Sequence, residues 1–360
     1  MSVNGIMKRV ALVLMSVIAL SGADSKAAGK PYKIGAVMPL TGPAASFGQI
    51  NRRGIDLALV AKNKKQVMFE SAIEDGMSNP KDSLTAFRKL TQEGVKVAIA
   101  SISGVALALV PVADKEKVVL FADVAHPLVT GSSSFVFRHS QTADQEAKVI
   151  SGYVGKGKVD GLVGLINVND DYGVAFGTQF QAYMRAVSPK KNIKAEAFDK
   201  TETEFRNITQ KLVSNNPEAI VVCASGKALG LIIKRLRENG FNGKIYATMG
   251  FTVSPDALTV AGEAAKGVMY IDFDFDKANK EYLALEKAYK ETYKAEMPVF
   301  VAVEYNTAML LMYAVEKAGY DPEAIAKYLK KLGTYKSAGE KMTINEKGDV
   351  LPSIKMAEFK

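Results

Sequence analysis

Residues 97–127 read VAIASISGVALALVPVADKEKVVLFADVAHP. Two short apolar runs, Val97–Ala100 and Val118–Phe121, show no alternation, the pattern of strands covered on both faces by helices in a parallel sheet. The run Val105–Glu116 between them has the length of a helix, and the segments Ser101–Gly104 and Ala122–His126 are polar turns. Pro111 inside that helix costs about 3 kcal/mol or bends it, so a kinked helix is expected. In such sheets ligands bind outside the carboxyl ends of the strands. Ser101, Ser103 and Gly104 fall at one such end, and Asp123 and His126 at the next. Ser103 and Gly104 also open a helix, where free N–H groups and the helix dipole suit a carboxylate. The plainer alternative for Ser103 is an N-cap.

Working outward, the same period recurs. Tyr32–Pro39 is a strand followed by the turn TGPAASFGQ, a helix over Asn51–Lys62, a strand over Val67–Glu74, and a helix from Asn79-Pro80 to Leu90 stopped at Gly94. Strand and helix alternate in this way only with right-handed crossovers and a parallel sheet. After a short strand at Ser134–Arg138 the order restarts: helix Asp144–Gly152, strand Gly161–Asn167, turn VNDDYG, helix Val174–Ala186, then further strand–helix units to Val268–Phe273. Helices follow at Lys277–Lys294, Val299–Ala318 and Pro322–Lys331, and Met342–Ile354 returns to strand and turn. The expected fold class is α/β, two Rossmann-like lobes with mainly parallel sheets. Residues 29–140 plus 276–335 are assigned to the first lobe, 141–275 plus 336–360 to the second. Crossings near Arg138–Thr142, Asp272–Asp276 and Gly333–Met342 make a multi-strand hinge able to close around a ligand.

The 360 residues are 48% hydrophobic and 24% charged, enough for sizeable cores and a wetted surface. Forty-seven Lys and Arg against 38 Asp and Glu leave a charge of +9. The basic residues are scattered and form no stripe with aromatics, so no nucleic-acid partner is expected. Lys8 and Arg9 precede the apolar run Val10–Leu20 and the small residues Ser21-Gly22-Ala23, the plan of a cleaved signal peptide over residues 1–28. Cleavage after Ala23 or Ala27 fits, and Met7 is an alternative start. A periplasmic location follows, and beyond residue 30 no apolar segment is expected to be long enough to span a membrane. Cys223, the single cysteine, lies in the buried-strand pattern AIVVCAS and reads as core. With His126 and His139 the only histidines, no zinc-type cluster can be assembled, and no metal or cofactor is expected. Asp170-Asp171 reads as a turn and Asp272, Asp274 and Asp276 as an exposed strand face. Ser103, Asp123 and His126 could be drawn as a triad, but there is no G-x-S-x-G elbow, and an enzyme is not expected.

Five stretches resemble the periplasmic leucine/isoleucine/valine-binding protein family, the solute-binding components of ABC importers: IGAVMPLTGPAASFGQ (34–49), SGVALALVPVA (103–113), NDDYG (169–173), AGEAAKGV (261–268) and INEKGDV (344–350). They occur in collinear order over nearly the whole chain from residue 31. The resemblance implies a type I periplasmic binding protein that acts as a monomer, takes an amino acid or other small carboxylate, and presents it to an inner-membrane ABC permease. It implies that Ser103, with Gly104, holds the ligand carboxylate. Backbone groups at Ala125 and His126 receive ammonium and carboxylate. Phe47 lines the cleft, Tyr172 closes from the second lobe, Ser225 stands where the family often has an aromatic, and Phe300 meets the ligand side chain. Two departures matter. His126 replaces the family's usual threonine. The second-lobe loop that often supplies a glutamate for the α-ammonium reads Met249-Gly250-Phe251-Thr252, with no acid. Either Asp123 substitutes, or His126 and Phe251 suit an aromatic or aliphatic acid without an amine. A ligand sensor that docks on a receptor is the remaining alternative.

Overall fold

The structure is a computed structural model that describes residues 30–360 apart from positions 65, 67 and 159. The proposed signal peptide lies outside the described residues. The first half runs β1 (Tyr32–Met38), α1 (Ala45–Lys62), β2 (Phe69–Asp75), α2 (Pro80–Gln92), β3 (Val97–Ser101), α3 (Ser103–Glu116), β4 (Val119–Asp123) and β5 (Val136–His139). The second runs α4 (Ala143–Val154), β6 (Leu162–Val168), α5 (Asp171–Val187), β7 (Asn192–Phe198), α6 (Arg206–Val213), β8 (Ala219–Cys223), α7 (Gly226–Glu238), β9 (Lys244–Ala247), α8 (Asp256–Ala261) and β10 (Met269–Phe273). The chain then forms α9 (Lys280–Tyr293), α10 (Val299–Ala318), α11 (Pro322–Lys331), the hairpin β11 (Thr334–Ser337) and β12 (Glu340–Thr343), β13 (Asp349–Val350) and β14 (Ile354–Glu358).

Two six-stranded sheets result, in the orders β13-β5-β4-β3-β1-β2 and β14-β10-β9-β8-β6-β7. Every pairing within them is parallel except β14 against β10. This is the expected α/β architecture. In each sheet the winding direction reverses once, between β1 and β3 in the first and between β6 and β8 in the second. Such reversals leave a crevice at the strand carboxyl ends where no crossover covers them. The decisive stretch folds in the order read, strand, turn, helix, strand, with its strands wholly buried, but the helix starts at Ser103 rather than Val105 and the second strand runs on to Asp123. Helix α3 begins at Ser103 and runs unbroken through Pro111, which is exposed, so the carbonyl that loses its N–H partner is on the solvent side.

The assignment of residues 336–360 to the second lobe, with a crossing near Gly333–Met342, needs correction. Asp349 and Val350 of β13 pair with Arg138 and His139 of β5, so the chain stays with the first sheet until that point. The tie is a buried ion pair: Arg138 Nη2 and Nε donate to Asp349 Oδ1 at 2.8 and 2.9 Å, and Thr130 Oγ1 donates to the same oxygen. The return crossing is Leu351–Ser353, beside the outgoing one, where Asp274 N donates to Ser353 O at 2.8 Å. Asp276 N likewise donates to Gly339 O of the hairpin. A cavity of about 590 Å³, lined among others by Phe275, Asp276, Lys336, Gly339 and Pro352, lies against these crossovers.

Helix α10 also corrects the reading that no apolar segment beyond residue 30 is long enough to span a membrane. Its 20 residues suffice by length and composition, but 78% of its apolar window is buried in this fold. It packs on the first sheet with α1 at close range: a Cβ at Gly54 would stand 2.6 Å from Val301 O and 2.7 Å from Glu304 Cβ. A side chain there would push two core helices apart.

Candidate ligand-binding site

The two crevices face each other. At the first, Ile102 links β3 to α3 with φ +75°, a strained value for a β-branched residue. The turn sets Ser103 as the first helical residue. The N-cap is Ile102 and no side chain caps the helix, so Ser103 is not the cap that the plainer reading made it. No acid lies in the first turn. The amides at the start of α3 and the buried Ser103 therefore present donors and a partial positive charge at the carboxyl end of β3.

Across from it, β6 ends at Val168 and α5 begins at Asp171, with Asp170 as a true N-cap accepting from Gly173 N at 2.8 Å. Asp171 reaches the first lobe: a Cβ on Gly104 would lie 2.6 Å from Asp171 Oδ2. Gly104 thus lets the second lobe come down on the start of α3. His126 joins the same junction. It lines a cavity of about 400 Å³ with Asn169, Asp170, Asp171, Val174 and Ala175. Burial holds the His126 imidazole below its ordinary pKa, Asp171 opposing this and Arg138 adding to it. Its Nδ1 accepts from Leu128 N at 3.3 Å and its carbonyl from Arg138 Nη1 at 2.7 Å. The aromatic wall is Phe47 edge-on to Phe300 at 5.1 Å, with Phe300 in turn edge-on to Phe273 of β10 at 5.4 Å. Rings from both lobes thus meet in one apolar cluster.

Tyr172 lies on α5, but its hydroxyl is turned onto a partner within its own lobe that the sequence reading missed. Glu146 of α4, 0% exposed, accepts from Tyr172 Oη at 3.0 Å, from Met249 N at 2.8 Å and from Gln141 Nε2 at 3.0 Å. The loop lacking its own acid thus receives one from a neighbouring helix. Burial pushes the Glu146 carboxyl up to about 7 and the Tyr172 phenol well above its usual value. The signal was present: Glu146 stands on the helix face of Ala143, Ala147 and Ile150, an acid on an otherwise apolar stripe.

Other expected residues fall differently. Asp123 does not face His126, and no triad forms with Ser103. It is 3% exposed and turned toward α10, with Thr307 Oγ1 3.3 Å from its Oδ2 and the Glu304 carboxyl beside it. Phe251 is not a cleft residue. In the turn Met249–Phe251 its ring stacks on Tyr270 at 4.7 Å and meets Phe359 at 5.8 Å, within the core of the second lobe. Ser225 is the exposed N-cap position of α7 and makes no side-chain cap. Ala125 is buried beneath the junction, and its carbonyl accepts from Ala143 N at 2.9 Å, joining the first lobe to α4.

The model of a family described as periplasmic binding protein matches residues 31–357. The leucine-, isoleucine-, valine-, threonine- and alanine-binding protein of Pseudomonas aeruginosa is 23% identical over 349 residues, 94% of this chain and 92% of that protein. A leucine-binding protein of Thermotoga maritima, solved by crystallography, superposes with TM-score 0.84 at 26% identity, covering 91% of this chain and 95% of its own. A solute-binding protein of Rhodopseudomonas palustris, solved with benzoate, gives TM-score 0.82 at 19% identity, covering 92% and 93%. With a family match that runs from residue 31 to 357 and so takes in both sheets, the chain belongs to the periplasmic binding protein family, among the relatives of the leucine/isoleucine/valine-binding proteins.

Proposed function

We propose that this chain is an extracytoplasmic solute-binding protein that captures a small carboxylate-bearing solute, an amino acid, between its lobes. The closed form is then delivered to an inner-membrane ABC permease. The observation that carries the reading is the uncapped start of α3 at the first crevice, where Ser103 and free amides converge under a strained Ile102. A carboxylate seated there gains charge-assisted hydrogen bonds and the helix dipole. The aromatic wall of Phe47 and Phe300 supports an apolar portion of the same ligand.

Ser103→Ala should weaken binding by about 1–3 kcal/mol, the loss when a hydrogen bond to a charged group is removed. The measurement is a calorimetric titration with ligands found by thermal shift. Unchanged affinity removes Ser103 from the site. A second reading, an aromatic or aliphatic acid lacking an amine, is favoured by one observation. Glu146, the acid that stands in for the missing loop glutamate, already accepts from Tyr172, Met249 and Gln141 and has little capacity for an ammonium.

A further inference from the structure

One set of buried polar groups takes no part in the site described so far. Along each first-lobe strand, alternate residues face α1 and α10: Val97 and Ile99 of β3, Val119 and Phe121 of β4, and Phe137 of β5 all pack in that apolar layer. The next residues of the same parity are Ser101, Asp123 and His139, so the apolar layer ends in a polar one at the strand carboxyl ends. Ser101 and Asp123 are direct register partners. The helices add to the same level. Asn51 lies one turn below Phe47 on α1, and Glu304 one turn below Phe300 on α10, so both stand directly under the edge-on ring pair.

This layer is short of positive charge. His139 gives Nδ1 to a contact with Thr307 Oγ1 at 2.8 Å and Nε2 to Glu340 at 3.0 Å, and Asn306 Nδ2 donates to Glu340 at 3.0 Å. That settles Glu340. Asp123 and Glu304 are left facing each other, with Thr307 as the neighbouring hydroxyl, the His139 ring the nearest base to Glu304 and the Glu340 carboxyl adding to the negative charge around Asp123. Among the described residues, Ser101 Oγ and both polar atoms of the Asn51 side chain lack a hydrogen-bond partner, and the Glu304 carboxyl has only the Asp123 carboxyl to share a proton with, though all three residues are at most 1% exposed. Two carboxylates cannot hydrogen-bond each other without a proton, and like charges at that range oppose joint ionisation. Both carboxyls are held above their ordinary range, by burial first. Among the described residues no three His, Cys, Asp or Glu side chains are arranged to hold a metal ion.

We propose that this layer is a subsite for a protonated amine on the ligand, with Asp123 and Glu304 as its counter-charge and Ser101 Oγ and Asn51 Oδ1 completing its hydrogen bonds. The inference rests on the cleft being the ligand site. It places the amine in the first lobe, on residues away from the loop at Met249. The proton shared by the two carboxyls leaves as the ammonium enters, so binding near neutral pH releases about one proton. Ser103 lies two residues beyond Ser101, and the α3 start is on the opposite face of the strand ends, so carboxylate and amine lie across the ends of β3 and β4. Whether the amine is α or ω to the carboxylate is read from the ligand panel.

The test uses the mature chain and the Glu304→Gln and Asp123→Asn variants. Thermal shift is run with the common amino acids, 4-aminobutanoate and 6-aminohexanoate. Each hit is repeated with its deamino acid and its decarboxylated amine, then titrated in two buffers of different ionisation enthalpy. The expected result is that an amine-bearing hit loses about thirtyfold or more in affinity in Glu304→Gln. Its deamino counterpart is unaffected by the substitution, and the wild type releases about one proton. If Glu304→Gln does not fold, Asp123→Asn and the wild-type proton count decide. Binding of amine-free acids alone, dependent on Ser103, overturns this inference and keeps the carboxylate seat. An amine that needs Glu304 but tolerates Ser103→Ala supports it and overturns the seat. Amine ligands indifferent to both variants, with no proton released, show a structural proton-sharing pair and overturn it, and a wild type that binds nothing in the panel overturns both readings.

Discussion

Glu146 is the residue on which the second lobe's half of the cleft depends. Three donors from three elements end on its carboxylate, fixing the Tyr172 ring, the Met249 turn and the crossover residue Gln141 together. Its carboxyl ionises at about 7 in the folded chain against an ordinary 4.5. The native state therefore holds its proton longer than the unfolded chain does. This stability is present below pH 4.5, is lost as pH rises to about 7, and is flat above that. The shift corresponds to about 3 kcal/mol. A series of denaturant midpoints from pH 5 to 8 should fall for the wild type and fall less steeply for Glu146→Gln, with the Asp123–Glu304 pair keeping the remaining slope. A wild-type midpoint that rises over that range contradicts the buried, proton-holding Glu146. Sequence reading could place Ser103 and Gly104 at the carboxyl end of β3 because strand, turn and helix are contiguous there. It missed Glu146 and Glu304 because their partners arrive from distant segments. It also placed Phe251 in the cleft, because nothing local says that its ring turns toward Tyr270 and Phe359.

At the scale of elements, β13 is instructive. Two residues make a weak strand, and what keeps them on the first sheet is Asp349 under Arg138, whose side chains are 6% and 2% exposed. Removing one partner of a buried pair leaves the other charge uncompensated. Asp349→Ala should cost about 3–5 kcal/mol of stability. The corresponding double variant with Arg138→Met should recover part of it. Urea denaturation reads both, and a near-neutral single variant removes the pair from the fold's support. The local sequence INEKGDV announces its turn, since Asn345 Oδ1 accepts from Lys347 N and Asp349 N at 2.9 Å. It does not announce which sheet the next two residues join. Helix α10 shows the same division: its apolarity marks a buried helix, while its Glu304 gains meaning only from the Asp123 carboxyl beside it.

For the whole molecule, the described chain from Tyr32 forms one compact unit with contacts between the lobes. Asp171 lies against Gly104, and Phe300 between Phe47 and Phe273. Two of the three crossovers are hydrogen-bonded to each other through Asp274 and Ser353. Under the proposed function, a ligand that contacts both crevices favours this arrangement over an open one and shifts the equilibrium only by its difference in affinity for the two. Small-angle scattering should show compaction at saturating ligand, with the saturated curve matching this arrangement of the two lobes. Identical curves with and without ligand remove closure from the mechanism.

The sequence by itself determined the alternation of strands and helices, the division into two similar sheets, the turn at Ser103 and the family relationship. Each of these is written in local periodicity or in contiguous motifs. Only the tertiary structure decided that Asp349 and Val350 join the first sheet and that the Glu146 carboxyl accepts from Met249 N, in a loop with no acid of its own. It alone decided that Asp123 faces Glu304 rather than His126. Those facts depend on which side chains meet after the chain has crossed between sheets. Burial then forces the meeting groups to share protons, pair charges or await a partner.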